Sequence, residues 1–212
     1  MIRTWIMVAL ALLLGTCGYR PSSPLARAVL DGDTATVEAL LARGPPRGDL
    51  QEALIAAARF GRPEMILELK AAGAGLEEAA GVNGWSPLKH AIHKNQPASV
   101  QALLAAGADP NAATGGMGTP LMMAAGYGFV PIVRVLLGHG ADARRTDGAG
   151  HNALDAALRG TSDIDRFTLG HCQTETVRLL LESTPDLRHT ERIPGCAEIE
   201  RLLRPTASAE SR

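Results

Sequence analysis

The sequence repeats itself about every 33 residues, and this repetition constrains the fold more than any other feature. Each copy has a leucine, an alanine three residues later and, in the first four copies, a glycine nineteen residues after the leucine. The leucines are Leu25, Leu54, Leu88, Leu121 and Leu154; the alanines are Ala28, Ala57, Ala91, Ala124 and Ala157; the glycines are Gly44, Gly73, Gly107 and Gly140. Because one short unit cannot bury both of its faces alone, the copies are expected to stack on one another.

Three motifs in these copies resemble the ankyrin repeat. Ser86-Pro87-Leu88 and Thr119-Pro120-Leu121 are similar to its helix-opening turn, and Asp147-Gly148-Ala149-Gly150 is similar to its hairpin turn. The closing segment is matched by residues 103–111 and 136–142. The resemblance implies an all-α ankyrin-repeat solenoid with β-hairpin-like loops, about five repeats and a C-terminal capping helix.

The periodicity predicts a domain over residues 24–204. We expect repeats near 24–48, 49–82, 83–113, 114–146 and 147–186, a cap at 195–204 and a disordered polar tail at 205–212. The expected helix pairs are 24–31/34–43, 51–60/63–72, 87–94/97–106, 120–127/130–139 and 153–160/173–183. The fifth repeat is eleven residues longer than the fourth between its leucine and its second-helix valine, which indicates an insertion at 162–172.

The first residues are typical of an export signal. Arg3 precedes an apolar run from Trp5 to Leu14, which spans about 15 Å as a helix and is too short to cross a bilayer. Leu14-Gly15-Thr16-Cys17 resembles the lipobox of bacterial lipoproteins, although Thr16 departs from its usual small residue. We therefore expect a signal peptide at 1–16, a lipid anchor on Cys17 and a linker at 18–23. This predicts a periplasmic protein on the outer membrane; the alternative is ordinary cleavage that releases a soluble periplasmic protein.

Charge and cysteine content narrow the function classes. The formal net charge of −1 argues against a nucleic-acid binder, which needs a basic face. If Cys17 carries a lipid, Cys172 and Cys196 remain as an even pair in an oxidising compartment. We expect a disulfide between them, with two unpaired thiols as the alternative.

Catalysis is not expected from the motifs present. His90 and His93 lie three residues apart on one predicted helix, a spacing that can seat a metal, but no further ligand pair accompanies them. No nucleophile elbow, phosphate-binding loop or zinc-protease motif occurs in the sequence. We expect no catalytic residue, metal or cofactor. The alternative is a metal-dependent enzyme that uses His90, His93 and the insertion at 162–172.

The resemblance implies that partners bind at hairpin tips and at the residues just before the glycine of the first turn. On this chain those positions are Arg59, Phe60, Trp85, His93, Lys94, Tyr127, His151 and Arg159. Aromatic residues and arginine are common at the centres of interfaces, so Phe60, Trp85 and Tyr127 between cations suit an acidic or amphipathic protein surface. In this interpretation His93 is exposed; in the alternative, Phe60 and Tyr127 only cover neighbouring helices.

The expected function is therefore a non-enzymatic protein-binding module in the periplasm. Two roles are consistent with the sequence: an immunity-type inhibitor of a toxin or effector, and a scaffold that supports a periplasmic enzyme.

Overall fold

The computed structural model describes residues 20–79, 84–112, 118–160, 172–190 and 196–203. The predicted export signal, Cys17, residues 162–171 of the insertion and the tail at 205–212 lie outside these ranges. The described ranges form eleven α-helices: α1 Pro24–Asp31, α2 Thr34–Leu41, α3 Arg47–Phe60, α4 Pro63–Ala71, α5 Pro87–His93, α6 Pro97–Ala105, α7 Pro120–Tyr127, α8 Val130–Gly138, α9 Ala153–Arg159, α10 Thr174–Ser183 and α11 Ala197–Leu203.

The helices are arranged as stacked pairs. The first helices of the pairs pack in sequence, α1 on α3, α3 on α5, α5 on α7 and α7 on α9. The second helices form a parallel layer in which α4 contacts α6, α6 contacts α8 and α8 contacts α10, and α11 packs on α10. The alanine column lies inside the first layer, with Ala57, Ala91, Ala124 and Ala157 all 0% exposed. The all-α solenoid of about five repeats with a terminal helix is confirmed.

Local sequence explains where the helices begin and end. Pro87 and Pro120 occupy the first turn of α5 and α7, where the missing N–H is not needed for a helical hydrogen bond. The hydroxyl of Thr119 accepts a hydrogen bond from the Met122 amide and caps α7. Gly61 and Gly128 end α3 and α7 with φ of 71°, and Asn95 takes the same left-handed conformation after α5 with φ of 53°. Asparagine tolerates this conformation better than other residues with a side chain.

The second repeat begins earlier than predicted. Helix α3 starts at Arg47 and not at the expected residue 51, so the expected boundary between residues 48 and 49 falls inside this helix. Pro46 provides the N-cap with φ of −58°, a conformation that its ring already favours. Asp49 in the first turn adds a favourable charge at the positive end of the helix dipole. The prolines at 45 and 46 therefore lead directly into a long helix.

Side-chain amides also attach the loops between helices to the rest of the stack. The Gln51 amide donates to the carbonyl of Glu78 at 2.9 Å and accepts from the amide N–H of Gly75 at 3.0 Å. Asn111 donates from Nδ2 to the carbonyl of Gly140 and accepts at Oδ1 from the amide of Asp142. The Gln51 amide thus attaches α3 to the loop that follows α4, whereas the Asn111 amide joins the loops of two adjacent repeats. Both amides satisfy backbone groups of these loops.

Within residues 20–203, apart from the gaps given above, every helix is too short or too polar to span a bilayer.

Candidate functional site

Six of the eight predicted partner-binding residues lie at the C-terminal ends of first helices, whereas Trp85 and His151 lie in the turns before α5 and α9. A polar contact joins two of these helices. The Arg59 guanidinium at the end of α3 donates from Nη1 to Nδ1 of His90 on α5 at 3.2 Å. Because arginine has no acceptor, His90 accepts here through Nδ1, and that nitrogen carries no proton in this contact. Gln96 adds a second link, from its Nε2 to the carbonyl of Arg59 at 3.4 Å.

A row of rings continues from the third repeat into the fourth. The Trp85 ring lies 5.6 Å from His90 and 5.1 Å from His93, measured between centroids. His93 meets Tyr127 edge-on at 5.9 Å, and Tyr127 meets Phe129 at 5.2 Å. The hydroxyl of Tyr127 lies 3.0 Å from Nδ1 of His93, within hydrogen-bond distance. These five residues, Trp85, His90, His93, Tyr127 and Phe129, are called the aromatic row below.

Most of the aromatic row belongs to the interior. Trp85 is 7% exposed, His93 8% and Tyr127 5%. The prediction that His93 is exposed is therefore wrong, and Trp85 and Tyr127 do not line an open groove. The reason is the stacking distance: neighbouring first helices come so close that rings at their ends fill the space between repeats.

The remaining predicted residues lie nearer the surface. Phe60 and Lys94 are half-buried, Arg159 is exposed, and Phe129 at the end of the aromatic row is half-buried. We call these four residues, Phe60, Lys94, Phe129 and Arg159, the binding edge. Sequence reasoning did not select Phe129, although its position directly after the left-handed Gly128 places it at the turn.

His151 has a structural role in the hairpin before α9. Its amide N–H donates to Oδ1 of Asp147 at 2.9 Å, and its ring Nδ1 lies 3.4 Å from Oδ2 of the same residue. These bonds, together with one from the Ala149 amide, hold the pKa of Asp147 below its usual value despite the desolvation that opposes them. His151 thus stabilises its own turn, whereas the resemblance to ankyrin repeats implied a contact with a partner at this position.

Two buried ionisable residues were missed by the sequence analysis. Lys89 is 0% exposed, and its ammonium donates to the carbonyl of Gly118 at 2.9 Å. Asp155, also 0% exposed, accepts from the amide N–H of Asn152 at 2.9 Å and from the hydroxyl of Thr190 at 3.2 Å. Each of the two residues directly follows the repeat leucine, which is Leu88 or Leu154. A charged residue next to this leucine was the sequence feature that could have indicated them.

The two cysteines are joined in the structure. Cys172 and Cys196 form a disulfide with their Cα atoms 5.9 Å apart. The bond connects the residue before the N-cap of α10 with the residue that precedes α11.

The described residues contain no group of three or more side chains of His, Cys, Asp or Glu placed to hold a metal ion. Nδ1 of His90 faces Arg59 and Nδ1 of His93 faces Tyr127, so both histidines already make contacts between repeats. Residues 162–171 of the insertion, which the metal-enzyme alternative requires, lie outside the described ranges.

Comparison with known families agrees with this architecture. A family model described as ankyrin repeats matches residues 25–114 with three copies, and a single-repeat model matches residues 117–145, together more than half of the chain. The chain belongs to the ankyrin-repeat family.

Three relatives show how far the similarity extends. Ankyrin repeat and KH domain-containing protein mask-1 of Caenorhabditis elegans is 32% identical over 162 residues, which is 72% of this chain and 6% of that protein. Ankyrin repeat and SOCS box protein 16 of the mouse is 34% identical over 52% of this chain and 23% of its own length. The mouse B-cell lymphoma 3 protein homolog is 39% identical over 42% of this chain and 20% of its own length. This chain therefore spans less than a quarter of each of these relatives, and the similarity concerns the repeats.

The burial of Lys89 leads to a prediction on pH dependence. Desolvation lowers the pKa of its ammonium from the usual 10.5 to about 8. Between these values the unfolded chain binds a proton that the folded chain does not, so the Lys89 contribution to the free energy of unfolding rises with pH. Between pH 8 and pH 10, the free energy of unfolding of the wild-type protein should therefore rise by about 1 kcal/mol or more relative to that of Lys89→Met.

Urea unfolding of both proteins at pH 7, 8, 9 and 10 measures this difference. Groups shared by the two proteins cancel in the comparison, since only Lys89 is replaced. Two stability curves that stay parallel over this range would contradict the account of Lys89 as a desolvated ammonium.

Proposed function

We propose that this ankyrin-repeat module binds an acidic surface of a folded protein through the binding edge. The observation that carries the proposal is the division of the site into a buried part and a surface part. Trp85, His93 and Tyr127 are buried between repeats, whereas Phe60, Lys94, Phe129 and Arg159 lie at the surface of the same helix ends.

Packing beneath the binding edge supports tight recognition. Phe129 contacts Tyr127, which in turn contacts His93, so one aromatic ring of the edge is held by a row of buried rings. Lys94 directly follows His93 and caps the C-terminal end of α5. Groups that are already ordered lose little conformational entropy when a partner binds, which leaves more of the contact energy for affinity.

Charge supports an acidic partner. The two residues before the first turn in repeats two to five are Arg59 and Phe60, His93 and Lys94, Gly126 and Tyr127, and Arg159 and Gly160. These eight positions include three permanent cations and no carboxylate, whereas the whole chain carries a net charge of −1. Such a local excess of positive charge steers and orients an acidic surface.

The proposed location is the periplasm, with a lipid anchor on Cys17 holding the protein at the outer membrane. The apolar leader and the lipobox-like segment before Cys17 support this location. The disulfide between Cys172 and Cys196 supports it independently, since disulfides persist in oxidising compartments. In that compartment the module serves either as an immunity-type inhibitor of a toxin or effector, or as a scaffold for a periplasmic enzyme.

Affinity capture from a cell-envelope extract with three baits tests the binding edge. Wild-type protein and a Leu67→Glu control, altered at a leucine of α4 that is 55% exposed, should retain the same protein in comparable amounts. A Lys94→Glu/Arg159→Glu bait should lose it by at least about tenfold, because two attractive charges become repulsive. Equal capture by all three baits, with all three folded by circular dichroism, would contradict the proposal.

An activity assay of the captured protein distinguishes the inhibitor role from the scaffold role. If the module is an inhibitor, adding it to the purified partner lowers the partner's activity in a 1:1 titration; if it is a scaffold, it preserves that activity.

Mass spectrometry of the protein purified from its own cells tests the anchor. A mature chain that begins at Cys17 and carries acyl chains is expected, and Cys17→Ser should move the protein from the membrane fraction to the soluble periplasm. A cytoplasmic protein that retains residues 1–16 would overturn the proposed location. The binding edge does not depend on this result, because the capture experiment tests it separately.

A further inference from the structure

Residues 188–190, which follow α10, are attached to the stack by hydrogen bonds that do not involve the disulfide. The carbonyl of Arg188 accepts a hydrogen bond from Nδ2 of Asn152 at 2.6 Å. Thr190 donates from its backbone amide and from its hydroxyl to Oδ1 of the buried Asp155. Because Asn152 and Asp155 form the capping box of α9, this segment is attached to the fifth repeat up to Thr190.

The start of α10 is also held independently. Gln173 donates from Nε2 to the carbonyl of Gly126 at the end of α7, at 2.9 Å. Val177 and Leu180 of α10 are both 0% exposed, and the helix packs on α8 and α9. Cys172, directly before Gln173, therefore lies on a segment that has its own contacts with the stack in addition to the disulfide.

The terminal helix α11 has much weaker attachments of its own. It is seven residues long, which is less than two turns and too short to persist without support. Ile199 is its one fully buried side chain, while Leu202 and Leu203 are half-buried. The ion pair between Arg178 and Glu198, at 2.8 Å, joins side chains that are 42% and 54% exposed, and exposed pairs of this kind contribute little.

We propose that the Cys172–Cys196 disulfide is a redox latch for α11. While the bond is intact, it holds the N-terminus of α11 against the fixed start of α10. When the bond is reduced, α11 leaves the stack, whereas α1 to α10 and the segment up to Thr190 stay folded. The side of α10 that carries Arg178 then forms one end of the solenoid. Helix α11 covers this end under oxidising conditions and leaves it exposed under reducing conditions.

The chemistry of release is thiol–disulfide exchange with a dithiol. Cys172 is exposed and Cys196 is 7% exposed, so the thiolate of the reductant attacks Sγ of Cys172. The bond between the two cysteine sulfurs breaks, and Sγ of Cys196 leaves as a thiolate and takes up a proton. The second thiol of the reductant then attacks the mixed disulfide, which frees Cys172 as a thiol and yields the oxidised cyclic disulfide of the reductant.

Hydrogen exchange followed by mass spectrometry on the full chain, with and without dithiothreitol, tests the latch. Reduction should speed exchange of the amides from Glu200 to Leu203 by about tenfold or more, because a helix that is detached from the stack loses its protection. The amides of α7, α8 and α10 should change by less than about twofold, as expected for elements that keep their own contacts.

Two variants serve as matched controls. Cys172→Ser/Cys196→Ser should show the fast exchange of α11 without reductant and no further change when dithiothreitol is added. Arg178→Gln removes the ion pair to Glu198 but leaves the bond, and under oxidising conditions it should keep α11 protected. If the double variant fails to fold, the wild-type comparison with and without dithiothreitol still decides the question.

Two outcomes would overturn the proposal. Unchanged protection of α11 in the reduced protein would show that packing alone holds this helix. Loss of protection in α10 and α11 to the same extent would show that the disulfide supports the whole fifth repeat and does not act on α11 alone.

Discussion

The close approach of neighbouring first helices is the constraint on which the rest of this molecule depends. It is possible because each repeat has an alanine where the helices meet, and from Ala57 to Ala157 these side chains are completely buried. A larger side chain in this column would separate the helices and create strain or voids along the stack. The same closeness brings Arg59 within 3.2 Å of His90, and His93 within 3.0 Å of Tyr127, across the boundaries between repeats.

This constraint also determines which residues are left for a partner. Rings at the ends of α5 and α7 fill the space between repeats, so Trp85, His93 and Tyr127 stabilise the stack. Side chains one step further out, such as Lys94 and Phe129, reach the surface on that support. The proposed binding edge is therefore a thin surface layer over a structural row of rings, and the identity of its residues can change without altering the repeat spacing.

The sequence was sufficient for the fold and only partly sufficient for the site. Columns of leucine, alanine and glycine recur at fixed intervals, and they predicted the helix pairs within a few residues because each column has one packing role. The start of α3 was missed because Pro45 and Pro46 indicate an interruption, while in the structure Pro46 caps a helix. Exposure of His93 was predicted wrongly because its repeat position is commonly variable, and the sequence does not show that a tryptophan eight residues earlier packs against it. Lys89 was missed because a lysine suggests a surface position. The residues at the same position of the other repeats, directly after the repeat leucine, are nevertheless buried.

The most direct test of this account is the free energy of unfolding of Trp85→Ala, measured by urea denaturation beside Leu67→Ala. Trp85 is 7% exposed and contacts two rings, so its removal should cost about 3–5 kcal/mol. Leu67 on the outer layer is 55% exposed, and its replacement should stay within about 0.5 kcal/mol of wild type. If Trp85→Ala were as stable as Leu67→Ala, the ring would not belong to the packing between repeats, and the division into a structural row and a binding edge would be wrong.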